Sequence, residues 1–160
     1  SERPALLLSS VDDRVNGFAN AYIDAPKPGK AATWIYCQDV PSVTQQAVMN
    51  LLDQPKPPTV IFASNNDIAL AVIKVAGNRQ LQLGRDISLV TFDDSQWLEA
   101  MSPGITVVAR PVEQLSQIAV SKLIAEIDQP GQPKEKISLP TELVARGSVA
   151  NLILRPEQGA

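Results

Sequence analysis

Two clusters of acid and amide side chains stand at the ends of apolar runs. Asn65, Asn66 and Asp67 follow "TVIFAS", and Asp93 and Asp94 follow "SLVTF". A third polar group, Asp12, Asp13 and Arg14, follows "PALLLSS". A carboxylate accepts hydroxyl protons, an amide both donates and accepts, and a guanidinium donates in a rigid fork. That mixture suits a small polyhydroxylated ligand. The competing role is local, since Asp and Asn are favoured helix N-caps worth about 1 kcal/mol each. A cap needs one residue and each cluster supplies at least two. The surplus members, Asn66 or Asn65 in one cluster and Asp93 in the other, are the stronger ligand candidates, whereas Asp67 and Asp94 read more readily as caps. Trp97 could stack on a sugar face, although packing suits it better. Asn65, Asp67, Asp94 and Trp97 therefore stay open between ligand contact and a local role.

Adjacent aspartates at a strand end can also hold Mg²⁺ for phosphoryl transfer. Such sites want a phosphate-binding loop or lysine, and neither a Walker A sequence nor G-x-G-x-x-G occurs. Histidine is missing altogether, which removes the commonest general base and most zinc sites. The single cysteine, Cys37, can form no internal disulfide and has no histidine to activate it. No catalytic residue, metal ligand set or cofactor is assigned. Net charge is −3 with no basic run, so the footprint of a nucleic-acid or anionic-membrane surface is lacking. No apolar stretch nears the roughly 20 residues of a membrane span and no signal-peptide pattern opens the chain, so the expected compartment is the cytoplasm.

The elements that must position these residues follow from periodicity. The 160 residues fit one domain that buries roughly 70% of the surface its unfolded chain would expose. Short apolar runs at "PALLLSS", "AATWIYCQ", "TVIFAS", "DISLVTFDD" and "ITVVARP" read as strands, with Trp34 in the second of them as core. Between them lie helical patterns. In "DDRVNGFANAYIDA" the apolar face is Val15, Phe18, Ala19, Tyr22 and Ile23, with Asp12 or Asp13 as cap and "PKPGK" as terminator. In "SVTQQAVMNLLDQ" it is Val43, Ala47, Val48, Leu51 and Leu52, and "DIALAVIKVAGNRQL" is apolar through its first turns. Strands alternating with helices predict an α/β fold, a doubly wound, mostly parallel sheet with helices on both faces. In such a sheet all three polar clusters share the carboxyl edge, where ligands of open α/β sheets bind. The helix "VEQLSQIAVSKLIAEI" carries an apolar stripe of Val112, Leu115, Ile118, Ala119, Leu123 and Ile127, and "EKISLPTELVARGSV" is a last extended piece.

The order of motifs over residues 57–149 resembles the effector-binding core of the lactose-repressor/galactose-repressor (LacI/GalR) family of bacterial transcription regulators. The likeness rests on "FASNND", on "GRDISLVTFDD", on "PGITVVARP" and on "LPTELVARGS", with "RVNGFANAY" resembling the family's Arg-x-x-Gly-Phe helix. It departs from the family in the short step from first strand to arginine and in the lack of an aromatic residue in "CQDVPSV". The resemblance implies one lobe of a periplasmic-binding-protein-like fold, closing on a small effector such as a sugar. It implies ligand contacts from Arg14, Asn66 and Asp93. It also implies a homodimer that reaches operator DNA through a helix-turn-helix absent from this sequence, and no membrane partner. The expected divisions are 1–111 as the main part of the C-terminal lobe, 112–130 as a helix for the missing first lobe, 131–150 as a returning strand segment and 151–160 as a loose tail. A sugar-binding protein of a transport system is the alternative.

Overall fold

The computed structural model describes residues 9–24, 33–37 and 40–150, with side chains from residue 11 onward. Among the described residues nine elements follow in chain order: α1 (Ser9–Ile23), α2 (Pro41–Leu52), β1 (Val60–Ala63), α3 (Asn66–Asn78), β2 (Ser88–Phe92), α4 (Gln96–Ala100), β3 (Thr106–Ala109), α5 (Val112–Asp128) and β4 (Glu142–Val144). The strands make one sheet in the order β1-β2-β3-β4. β1 and β2 pair in parallel with Phe62 opposite Val90, and β2 and β3 pair in parallel with Phe92 opposite Val108. β4 returns antiparallel on β3, with Leu143 opposite Val108.

Alternation along the strands divides the sheet into two faces. Ile61, Ala63, Leu89 and Val107 point to one side and join Ala69, Val72 and Val75 of α3 in the core. α2 covers the outer side of α3 through Val48, with Met49, Leu51 and Leu52 beside the same cluster. Fully burying a valine or leucine contributes roughly 1.5–3 kcal/mol, so this face supplies most of the fold's hydrophobic stabilisation. Phe62 and Phe92 point the other way, and Phe18 of α1 stacks on Phe62 with ring centroids 6.0 Å apart. Helices thus lie on both faces of a mostly parallel sheet, as the strand pattern predicts.

Several local expectations are corrected. α1 begins at Ser9, so Asp12, Asp13 and Arg14 lie inside a helix rather than in a loop, and neither aspartate is its cap. A helix starting there turns Arg14 and Phe18, one turn apart, onto the same face, and leaves Ile23 exposed. Residues 33–37 carry no strand, and Trp34 is 46% exposed rather than core. On α2 it is Thr44 and Val48 that are buried, while Val43 faces solvent. The expected strand at 4–10 falls outside the described residues except for Ser9 and Ser10, which are helical; "PKPGK" also falls outside.

The carboxyl-terminal segment is stitched to the sheet by polar side chains. The buried Ser148 hydroxyl donates to the Leu89 carbonyl at 2.6 Å and accepts from the Thr106 amide at 2.8 Å, which spans β2 and β3. Arg146 grips both carboxylate oxygens of Asp94, at 2.9 and 2.7 Å, and donates to the Ile105 carbonyl at 3.0 Å. Gly84, at φ +76°, passes so close to Gly147 that a Cβ there would lie 2.0 Å from the Gly147 carbonyl oxygen. The "GRDIS" and "ARGS" motifs are two halves of one clasp.

Candidate functional site

The site is built at the carboxyl ends of β1 and β2, on the face that carries α1. β1 ends at Ala63, and the chain turns through Ser64 and Asn65 into α3. The Asn65 side chain caps that helix, accepting from the Ile68 amide at 2.9 Å. The Asn65 carbonyl accepts from the Thr91 hydroxyl at 3.2 Å, which ties the turn to the end of β2. With Asn65 occupied as the cap, Asn66 is released from that duty. Its amide nitrogen makes a long contact of 3.4 Å to the Ser95 hydroxyl, and its Oδ1 is buried without a hydrogen-bond partner. Buried polar atoms are nearly always satisfied, so an orphaned acceptor marks a place where a donor belongs.

β2 ends at Phe92, and Asp93 follows with φ +71°, the left-handed region that Asp tolerates better than most residues. Its amide donates to the Val108 carbonyl at 3.0 Å. This backbone turn separates the two aspartates. Asp94 is drawn outward to Arg146 and to the Ser95 amide at 2.8 Å, and Arg146 holds its carboxyl below the usual range. Asp93 is left at the edge.

Arg14 reaches this edge from α1. Its guanidinium lies over the Phe92 ring, 3.9 Å from the centroid, and donates to the Ser64 carbonyl at 2.6 Å. Burial pushes its pKa down; Asp93 opposes that shift and the second cation, Arg110, adds to it. Arg110 stands just past β3, pairs through Nε with Asp93 Oδ1, and sits 6.0 Å from the same ring. A cation over an aromatic face is worth roughly 0.5–2 kcal/mol, so Phe92 serves as the floor on which both guanidinium groups are oriented.

Arg14, Asn66 and Asp93 therefore meet at one sheet edge. Two of the other candidates are already engaged within the fold. Asn65 is the cap, in place of Asp67, which is exposed in the first turn of α3; Asp94 is bound to Arg146 instead of capping α4; and Trp97 lies half-exposed on α4. Arg110, Phe92 and Ser95 lie at the same edge, and the sequence reading does not single them out. A cation directly after the strand "ITVVA" reaches the same edge as the acids and amides, so Arg110 is legible in the sequence. Cys37 is partly buried, and burial pushes its thiol pKa up, the opposite of an activated nucleophile. Among the described residues there is no cluster of three metal-ligating side chains, and no helix is long and apolar enough to cross a membrane.

A family model described as a periplasmic binding protein-like domain matches residues 6–149. A probable opine utilization operon repressor of Rhizobium rhizogenes is 34% identical over 151 residues, which is 90% of this chain and 73% of that protein. A LacI family transcriptional regulator of Enterococcus faecalis V583, solved with bound ribose, superposes with a TM-score of 0.79 at 28% identity, covering 93% of this chain and 53% of its own. The chain belongs to the LacI/GalR family. Within that family, the probable repressor ExuR of Bacillus subtilis is 34% identical over 143 residues, 89% of this chain and 43% of the relative. The chain thus spans about half the length of the solved regulator and less than half of ExuR.

Proposed function

We propose that this chain is the main part of the effector-binding lobe of a LacI-type transcription regulator, and that the edge built from Arg14, Asn66 and Asp93 receives a small metabolite, a sugar or a near relative. The convergence of those three side chains on one edge, with Asn66 Oδ1 unpartnered, is the observation that carries the reading. The ribose held by the Enterococcus regulator, and the 30% identity over 102 residues to the ribose operon repressor of Escherichia coli, support a sugar-like ligand class. Asp93 accepts ligand hydroxyl protons, Asn66 both donates and accepts, and Arg14 donates across the Phe92 ring.

Residues 1–111 are the body of the lobe. The helix of 112–130 packs on the first lobe of the whole protein, a role supported by the exposure of Val112, Val120, Leu123, Ile124 and Ile127 on α5. Residues 131–150 return to the sheet, and 151–160 form a tail. The whole protein is a cytoplasmic homodimer that binds operator DNA through a helix-turn-helix, carries out no catalysis and uses no cofactor. Effector binding shifts its DNA affinity because the two conformational states hold the effector with different affinity.

The test is operator release by the full-length protein, followed by fluorescence anisotropy across a sugar panel. Asp93→Ala is expected to fold and bind operator while losing the effector response. A variant that still responds as the wild type does would overturn the proposal.

A further inference from the structure

Among the described residues, two guanidinium groups at the effector edge interact with one carboxylate. Arg110 is ion-paired with Asp93, whereas the hydrogen bond that Arg14 makes is to a neutral carbonyl, that of Ser64. Both guanidinium groups face the Phe92 ring, and Asp93 is the carboxylate that acts on Arg14. Among the described residues two cations thus share one carboxylate in a partly buried place, where like charges repel and a second anion is favoured. Polyhydroxyl recognition alone does not call for the second cation, because Asp93, Asn66 and Arg14 already supply acceptors and donors for hydroxyls.

We infer that the effector carries a carboxylate, held between Arg14 and Arg110, with its hydroxyl or amide groups on Asp93 and Asn66; this rests on the effector-site reading above. A single carboxylate matches the one charge left unbalanced among the described residues. A phosphate monoester, carrying about −1.5 to −2 at neutral pH, overshoots it. The planar fork of arginine also fits a carboxylate through two parallel bonds. Arg110 is then the residue that sets selection between an acid and the matching neutral sugar.

The test is binding by the full-length protein of galacturonate, glucuronate, galactose, glucose and glucose 6-phosphate, measured by calorimetry and by thermal shift. The wild type is expected to bind a uronate at least about tenfold more tightly than the matching neutral sugar or the phosphate. Arg110→Gln should weaken the uronate by about 10- to 100-fold, the scale of one lost charge-assisted contact, and the neutral sugar by less, so that the preference narrows. Arg110→Lys should keep part of the preference, which separates charge from a merely structural role. Equal or tighter binding of a neutral sugar overturns the inference and leaves the sugar-sensing reading standing. Preference for the phosphate also overturns it. If none of the five binds, both this inference and the sugar-like reading fall.

Discussion

The two adjacent aspartates should separate cleanly when each is replaced. Asp94 shares two hydrogen bonds with Arg146, whose side chain is only 15% exposed, so Asp94→Ala leaves a mostly buried guanidinium with the Ile105 carbonyl as its remaining partner. Hydrogen bonds to charged groups contribute about 1.5–3 kcal/mol. Because the Asp94 carboxylate itself is a third exposed, solvent recovers part of that, and about 1–3 kcal/mol is expected overall. In a domain of this size the loss lowers Tm by roughly 2–12 °C. At Asp93 the reverse holds. Asp93→Gly loses a partly exposed pair worth about 1 kcal/mol and relieves a positive φ that glycine adopts freely, so stability should stay within about 1 kcal/mol of wild type. Urea unfolding followed by circular dichroism measures both. The Asp94 contribution also has a pH signature. Its folded pKa lies below the unfolded value of about 3.9, so the contribution is present above pH 4 and is lost as pH falls through the folded pKa. The gap between wild type and Asp94→Asn should be full at pH 7 and close on the acid side of pH 4. Equal destabilisation at the two positions, or a gap at Asp94 that does not change with acid, would refute this division of labour.

Other consequences follow from the same structure. Gly84→Ala places a Cβ on the Gly147 carbonyl at a positive φ and should cost more than about 2 kcal/mol by the same unfolding assay. Asn65→Ala removes the α3 cap and should cost about 1 kcal/mol. Asn66→Ala should leave unfolding nearly unchanged and weaken effector binding, as calorimetry would read. The exposed stripe of α5, with Leu123 61% and Ile127 68% exposed, should make the 160-residue chain self-associate; in analytical ultracentrifugation Leu123→Glu should shift it toward monomer.

The frame was legible because its signals are local. "TVIFAS" and "SLVTF" are continuous apolar runs between proline or polar breaks, and they give β1 and β2 within a residue or two. The stripe of 112–128 gives α5 outright. A cap uses one residue of a cluster, which sets Asp93 apart from Asp94 but leaves Asn65 beside Asn66; Arg14, and Asn66 over Asn65, follow from the family resemblance. What stayed hidden depends on distant partners. The Asp94–Arg146 pair spans 52 residues, the Ser148–Leu89 contact spans 59, and neither leaves a local trace. The choice of Asn65 over Asp67 as cap turns on where α3 begins, by two residues. The alternation in "AATWIYCQ" suits a strand, yet among residues 33–37 no strand pairing forms.

The central claim is that Arg14, Asn66 and Asp93 together receive the effector. A crystal structure of the full-length protein with its effector bound tests this most directly. The account predicts ligand oxygens within hydrogen-bond reach of the Asp93 carboxylate, the Asn66 amide and the Arg14 guanidinium, with Arg14 still over Phe92. An effector seated elsewhere, with Asp93 still held only by Arg110 and Asn66 Oδ1 still unpartnered, would contradict it.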